Sequence, residues 1–279
     1  MFLFREHSAK TKKRGSQNPI MGTVSKALSL LSFFAPDRTE IGLSDLTRLS
    51  GMNKATVYRL MAELQESGFV EQGENDRAYR LGPQVLHLAA LREASTPILS
   101  VSRRILRELS EETGETTHVS LGHDGWVQTL SHAYSPRHAT KVTMEDAQTV
   151  TYHATSSGLA ILAYSDPEFV DRILSQPMTA HTQLTLTSQD EIRAKLEEIR
   201  NQGFSSTEGS FELEVHSHAV PVFGADGNAL GALAVAAPSS RMDAPQQAKI
   251  REALCRAGAD LTHRIGGRPP ASYTFYEGH

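Results

Sequence analysis

The stretch 43–68, LSDLTRLSGMNKATVYRLMAELQESG, has the layout of two crossed helices joined by a tight turn. In its second half, apolar residues recur at offsets of three, four and seven, which places Val57, Leu60, Met61 and Leu64 on one helical face. Asn53 can accept a hydrogen bond from the free amides of the first turn, and Gly68 can adopt the left-handed conformation that ends a helix. The pattern therefore predicts a helix over 54–67 with both ends defined.

The residues around this helix predict a winged helix-turn-helix. We expect a long helix over 23–34, a short one over 44–49, a turn at Gly51, and two short strands, 69–72 and 78–81, around a polar turn at 73–76. One amphipathic helix alone is usually just a solvated helix, but this order of elements is typical of a DNA-binding module. The residues expected to contact bases or phosphates are Ser44, Lys54, Ala55, Thr56, Tyr58, Arg59, Arg77 and Arg80.

The charge of the chain is unevenly distributed. The 279 residues carry a net charge of −4, and 39% hydrophobic with 22% charged residues suits two globular domains. Residues 1–81 contain 12 basic and 9 acidic side chains, a net charge of +3, which leaves −7 for the remainder. Because phosphate contacts supply most sequence-independent affinity for DNA, only the first part suits a polyanion. Residues 1–20 are expected to form a flexible basic arm.

The cysteine content and the lack of long apolar runs limit the class of protein. The single cysteine, Cys255, excludes an internal disulfide and leaves no cysteine-pair zinc pattern. It sits among Ala253, Leu254 and Ala257, so we expect it in a helix core. No run approaches the roughly 18 apolar residues that span a bilayer, and the apolar start is too short for a signal peptide. We expect a cytoplasmic protein with no membrane partner and no cofactor.

Beyond the wing the pattern predicts an α+β domain. Pro83 can begin a helix over 83–92 that is too apolar for a lone surface helix, so residues 83–96 are expected to pack on a partner as a linker helix. Over 97–265 we expect helices at 97–112, 157–164, 168–174, 189–202 and 244–265, and strands at 116–121, 126–133, 141–144, 215–223 and 229–236. These form helices flanking an antiparallel sheet. Ser188 to Glu191 reads as a capping box, and the tail 266–279 is expected to be loose.

With these pieces in place the chain resembles the IclR family of bacterial transcriptional regulators, from about residue 21 to 265. The segments that carry the resemblance are KATVYRL at 54–60, YRLG at 79–82, YHATSSGLAILA at 152–163, IRNQGF at 199–204 and AVPVF at 219–223. The resemblance implies a winged helix-turn-helix domain at 21–82, a dimerising linker helix, and a GAF-like effector-binding domain at 97–265. It also implies homodimers or dimers of dimers on palindromic double-stranded operator DNA.

The resemblance further implies a small-molecule site. Its residues, carried over by position, are Met144, Ser156, Ser157, Gly158, Ser217, Ala234 and Ala236. Residues 156–158 come just before a helix, where free amides and the helix dipole suit a carboxylate, so we expect an organic acid as effector. Simple helix capping would also explain these serines. Leu159 replaces the family's usual lysine, and the two alanines replace serines that often bind a small keto acid, which favours a larger or less polar acid than glyoxylate or pyruvate.

The prediction that follows is a ligand-responsive transcriptional regulator of a catabolic operon, with no catalytic residues. The alternative is a metal-responsive sensor, since His216 and His218 at strand spacing could bind a metal with His118 or His132. No motif brings three or four such ligands together, so we expect no metal site.

Two other groups of residues invite weaker hypotheses. His153 lies close in sequence to Ser156 and Ser157, but without a nucleophile-elbow sequence we expect no catalysis. Trp126 and Tyr134 could stack on a ligand or pack in the core.

Overall fold

A computed structural model of the chain describes residues 22–35, 37–73 and 77–274. The expected basic arm at 1–20, most of the turn of the wing and the last five residues of the tail lie outside them. The described residues fall into two units: the first contains 22–34 and 40–82, and the second contains 35, 37–39 and 83–274. None of the helices formed by these residues is both long and apolar enough to cross a membrane.

The first unit is a three-helix domain with a two-stranded wing. Its helices are α1 (Thr23–Leu31), α2 (Leu43–Ser50) and α3 (Lys54–Glu66), and its strands are β1 (Val70–Gln72) and β2 (Tyr79–Leu81), which pair antiparallel. The apolar stripe expected on α3 is buried against α1, α2 and the wing. The prediction of a winged helix-turn-helix is therefore confirmed.

The turns around α3 follow from a few residues. Gly51 ends α2 at a φ of 66°, where a side chain would be strained. Asn53 Oδ1 accepts a 2.8 Å hydrogen bond from the Thr56 amide, the expected N-cap, and Gly68 adopts a φ of 73° just beyond the helix. The expected extension of α1 to residue 34 is wrong, because the amides of Phe33 and Phe34 bond to carbonyls only three residues back.

The second unit is an α+β domain around one antiparallel sheet, as expected. Its helices are α4 (Pro83–Ser95), α5 (Ile98–Thr113), α6 (Ser156–Ala163), α7 (Pro167–Leu174), α8 (Gln189–Gln202) and α9 (Ala244–Arg264). Its strands are β3 (Thr116–Gly122), β4 (Val127–Ala133), β5 (Thr149–Val150), β6 (Ser205–Glu208), β7 (Val215–Phe223) and β8 (Ala229–Pro238). Their order across the sheet is β5-β4-β3-β8-β7-β6, with every neighbouring pair antiparallel.

Both faces of the central strands are covered by helices. Ala219, Ala232 and Ala234 pack in one core with α6, α7 and α8. The alternate positions, such as Val220 and Val235, pack in a second core with α5 and α9. Because successive side chains of a strand point to opposite faces, each residue of β7 and β8 is committed to one of two environments.

The structure corrects one expected strand and adds another. Residues 141–144 form no strand, because side chains satisfy their backbone groups: the Val142 carbonyl accepts from Thr116 Oγ1, and the Met144 amide and carbonyl both bond to the Tyr134 hydroxyl at 2.9 Å. The strand that pairs with β4 is β5 instead. The polar strand β6 has no apolar alternation, and the sequence analysis missed it.

Three local expectations are also wrong. Ser188 makes no side-chain capping bond to α8, so the capping box is not formed. The tail is ordered at least to Tyr273, whose ring packs edge-on against Tyr164 and Phe223. Cys255 is only half-buried in α9 rather than part of its core.

A side chain at Gly158 in α6 is expected to destabilise the protein. A Cβ at this position would lie 2.3 Å from the Tyr152 carbonyl oxygen and 2.5 Å from its Cα, and backbone atoms cannot swing aside. We predict that Gly158→Ala lowers the free energy of unfolding by about 1–3 kcal/mol, the usual cost of overpacking. Thermal unfolding followed by circular dichroism measures this. The control is Gly42→Ala, where φ is −74° and nothing lies within 4 Å; equal losses in both variants would contradict the packing argument.

Candidate DNA-binding helix and effector cavity

The exposed face of α3 carries most of the residues expected to contact DNA. Lys54, Ala55, Tyr58 and Arg59 are exposed, and Thr56 is half-buried. Among the described residues, no carboxylate forms an ion pair with Lys54 or Arg59. The opposite face of the same helix is fully packed, so these side chains are presented on a rigid element.

Three further expected contacts lie outside α3. Ser44 is exposed in the first turn of α2. Arg77 is exposed at a φ of 55°, in the left-handed conformation, beside the part of the wing that is not described. Arg80 Nε donates a 2.7 Å bond to the carboxylate of Glu71, its partner across the wing, so its charge is already shared.

The second unit contains a cavity of about 80 Å³ on the sheet face covered by α6. A single water molecule needs a cavity of about 10–15 Å³, so this one has room for a molecule of roughly half a dozen non-hydrogen atoms or more. The walls come from all six strands of the sheet, the start of α6, and the segments before β5 and before β7. Among the described residues that line it there is no lysine or arginine, and Glu212 is exposed at its edge.

Five of the seven effector residues expected from the sequence line this cavity: Met144, Ser156, Ser157, Ser217 and Ala236. Gly158 and Ala234 do not. Gly158 is held against Tyr152, and Ala234 is packed in the core formed with α6, α7 and α8. Leu159 also belongs to that core, so its side chain is not a substitute for a pocket lysine.

The two serines in the first turn of α6 are not its capping residues. The cap is Thr155, whose Oγ1 accepts a 3.1 Å hydrogen bond from the Gly158 amide. Ser156 and Ser157 are therefore not caps, and both bond to the sheet instead. Ser156 Oγ lies 2.7 Å from Ser217 Oγ on β7, and Ser157 Oγ lies 3.2 Å from His118 Nε2 on β3.

Within the described part of the chain, two polar atoms in the cavity wall have no hydrogen-bond partner. His118 and Thr129 are 7% and 1% exposed, and both line the cavity. No described residue forms a hydrogen bond with His118 Nδ1 or with Thr129 Oγ1. Burial, reinforced by the neighbouring His132, lowers the pKa of His118 to about 4, so the ring is neutral near pH 7. Buried polar atoms without partners are costly, and they favour a ligand that can bond to them.

Two irregular segments lie at the edge of the cavity and are fixed by side chains. The Tyr134 hydroxyl holds the backbone of Met144 through two bonds, so Tyr134 is a structural residue. Trp126 stacks on the ring of His123 at 4.1 Å rather than facing the cavity. On the other side Phe211 lines the cavity and lies 4.6 Å from the ring of His181.

The histidines do not converge. His118 faces the cavity, whereas His216 and His218 alternate with the cavity-lining Ser217 and so point to the opposite sheet face. His132 Nδ1 bonds to Asp146 at 2.8 Å. Within the described part of the chain, no group of three or more histidine, cysteine or carboxylate residues could hold a metal. The metal-sensor alternative therefore has no structural support.

The hypothesis of a nucleophile and base is also unsupported. His153 Nε2 lies 2.9 Å from the Thr179 carbonyl oxygen, and the hydroxyls of Ser156 and Ser157 bond to other partners.

Sequence reasoning missed His118, Thr129 and Phe211 as cavity residues. A signal was available for the first: Thr116, His118 and Ser120 alternate along one strand, which indicates a polar face on an otherwise buried sheet. Thr129 and Phe211 could not be found this way, since their placement depends on strand pairing and on an irregular segment.

Comparisons with known proteins find relatives for both units. Two family models match: the IclR helix-turn-helix domain over residues 23–74, and the C-terminal domain of the bacterial transcriptional regulator IclR over residues 91–263. The HTH-type transcriptional regulator XynR of Escherichia coli K12 is 28% identical over 252 residues, which cover 89% of this chain and 98% of that protein.

Solved structures give the same result. A crystal structure described as an IclR transcriptional regulator from Silicibacter sp. TM1040 has a TM-score of 0.88 and 64% identity, with 91% of this chain and 100% of that chain covered. An IclR homologue from Microbacterium hydrocarbonoxydans, complexed with 4-hydroxybenzoate, has a TM-score of 0.72 and 25% identity, with 87% and 100% covered.

The family models span helix α3 and the domain that contains the cavity, and the relatives are transcriptional regulators rather than enzymes. This chain belongs to the IclR family of bacterial transcriptional regulators.

Proposed function

We propose that the protein is a dimeric, acid-responsive regulator that binds a palindromic operator and controls a catabolic operon. The observation that carries the DNA-binding part is the exposed face of α3, where Lys54, Tyr58 and Arg59 project from a helix whose other face is buried. A helix of this kind enters the major groove, where arginine and threonine side chains can reach base edges. Such a protein acts in the cytoplasm, beside the chromosome.

The residues outside α3 have a secondary part in this proposal. Ser44 and Arg77 are exposed and free to approach phosphates. Arg80 would have to divide its bonds between Glu71 and a phosphate, so it should contribute less to DNA affinity than Arg59. Ala55 is small and would let the backbone of α3 approach the groove closely.

The cavity supports the acid-responsive part. The start of α6 supplies backbone amides and the positive end of a helix dipole, and Ser156, Ser157 and Ser217 add hydroxyls beside it. Met144 and Ala236 add apolar wall. With no lysine or arginine in the described lining, an acid with an apolar body fits better than a small keto acid. The relative that binds 4-hydroxybenzoate is an acid-binding member of the same family.

Dimerisation is proposed through α4, which follows the wing directly in the sequence. None of its residues is buried, and Leu86, Leu88 and Leu91 are exposed by 76%, 44% and 55%. Exposed apolar area of this kind on a helix marks an interface. Two protomers joined here would present two copies of α3, and an acid that favours one arrangement would shift the spacing between them.

Arg59→Ala is predicted to weaken binding to DNA from the region upstream of the protein's own gene. The loss of one base or phosphate contact should reduce affinity about tenfold or more, in a gel-shift titration at fixed salt. The matched control is Arg103→Ala, an exposed arginine on α5. Unchanged affinity in the Arg59 variant, with its unfolding midpoint also unchanged, would refute the role of this side chain.

Ser157→Ala is predicted to weaken the response to the acid while DNA binding persists. Removal of one hydroxyl donor to a carboxylate should reduce acid affinity about tenfold, the value of a charge-assisted hydrogen bond. Thermal shift with a panel of organic acids finds a ligand, and calorimetry then measures its affinity. Ser165→Ala, whose hydroxyl bonds within the C-terminal end of α6, is the control. Equal affinities in wild type and Ser157→Ala would remove Ser157 from the site.

Leu91→Glu is predicted to shift the protein from dimer towards monomer. Leu91 shares a helical face with the exposed Leu88, and a charge there would have to be buried at the proposed interface, which costs several kcal/mol. Light scattering coupled to size-exclusion chromatography gives the mass. Ala194→Glu adds the same charge to an exposed position of α8 and should leave the mass unchanged. A dimer of undiminished stability in Leu91→Glu would place the interface elsewhere.

A further inference from the structure

Two side chains of the cavity wall, His118 and Thr129, have unused hydrogen-bonding capacity that no acid group at α6 would satisfy. His118 is bonded through Nε2 to Ser157, while its Nδ1 has no partner among the described residues. Thr129 Oγ1, on the neighbouring strand, also has none. Both residues are more than nine-tenths buried and both line the cavity. A ligand that reached only the start of α6 would leave two buried polar atoms unpaired.

The bond between Ser157 and His118 decides what Nδ1 can do. A neutral imidazole has one protonated nitrogen, a donor, and one bare nitrogen, an acceptor. A carboxylate at the start of α6 can only accept, so the Ser157 hydroxyl must donate to it. Ser157 Oγ then accepts from His118, which places the ring proton on Nε2 and leaves Nδ1 as an acceptor.

A ligand group that lies beside His118 must therefore donate a hydrogen bond to Nδ1. A hydroxyl can donate to His118 and at the same time accept from the Thr129 hydroxyl, which satisfies both atoms. A ketone or aldehyde oxygen could accept from Thr129 but would face the lone pair of Nδ1. An ammonium group could donate, but the burial that lowers the pKa of His118 penalises any cation placed there.

We propose that the effector of this protein is a hydroxy acid, whose carboxylate lies at Ser156 and Ser157 and whose hydroxyl bonds to His118 Nδ1 and Thr129 Oγ1. This inference rests on the proposed function, namely that the cavity binds an acid. His118 then links the two polar groups of the ligand. The carboxylate, through Ser157, fixes the tautomer of the ring, and this tautomer leaves Nδ1 as an acceptor for the ligand hydroxyl. Specificity of this kind is strong, since an analogue without the hydroxyl leaves buried partners unpaired.

The test uses the full chain and two series of probes, built on pentanoic acid and on benzoic acid. The pentanoic series contains the parent acid and its hydroxy, oxo and amino derivatives at every position, and the benzoic series contains the parent acid and its hydroxy derivatives at every ring position. Calorimetry gives each affinity, and gel shift gives each effect on DNA binding. We expect the hydroxy acid of best-fitting position to bind at least about tenfold more tightly than its parent, oxo or amino counterparts.

Two kinds of variant locate the preference. Thr129→Val preserves shape and should reduce the hydroxyl preference to about threefold or less. Thr117→Val is the matched control on β3, since Thr117 bonds to the Leu106 carbonyl and does not line the cavity; it should retain the full preference. His118→Asn places a polar atom near the Nδ1 position and His118→Gln near the Nε2 position, so only the first should retain part of the preference. In the complex, nitrogen-15 shifts should show His118 protonated at Nε2.

The outcomes separate this inference from the function on which it rests. If acids bind and alter DNA binding but hydroxy and parent acids bind alike, the hydroxy-acid inference is overturned and the acid-responsive function stands. A hydroxyl preference that survives in both Thr129→Val and His118→Gln, or a ring protonated at Nδ1 in the complex, also overturns it. If no acid of either series binds, both the inference and the proposed effector class are wrong.

Discussion

The burial of both faces of β3, β8 and β7 constrains the rest of the second unit. Helices α6, α7 and α8 cover one face and α5 and α9 cover the other, so every side chain of these strands must suit a packed interior. Most positions are apolar for that reason. The polar exceptions on the α6 side, including His118 and Ser217, can be tolerated only with partners or beside a cavity that a ligand can fill. The cavity thus lies where polar residues occupy one inner face of a doubly covered sheet.

In the first unit, too, the function of a helix follows from which of its faces is buried. Helix α3 buries one stripe, which fixes its orientation within the domain, and leaves the other side for a partner. A defined N-cap at Asn53 and a left-handed Gly68 beyond its last turn hold the exposed side chains on a helix of fixed length. An excess of positive charge in the first 81 residues, on an otherwise acidic chain, suits a phosphate backbone.

The sequence predicted the features that depend on local periodicity. Helix α3, the wing and α8 follow from apolar spacing and terminal residues. The family resemblance predicted that Ser156, Ser157 and Ser217 lie together, as they do in the cavity wall. Features that depend on contacts between residues distant in the sequence were either not predicted or predicted wrongly. The Tyr134 hydroxyl replaces a strand ladder at Met144, and the tail is held by aromatic contacts of Tyr273. The partnership of Ser157 with His118 joins residues 39 positions apart, so no local pattern reveals it.

The central claim is that paired copies of α3 bind duplex DNA in two turns of the major groove on the same face of the double helix. A nuclease footprint on the region upstream of the protein's own gene tests this most directly. Two protected half-sites of related, inverted sequence, with centres about 10 base pairs or a multiple of that apart, are the expected result. Cleavage indistinguishable from that of free DNA, even in dilute salt, would contradict the account.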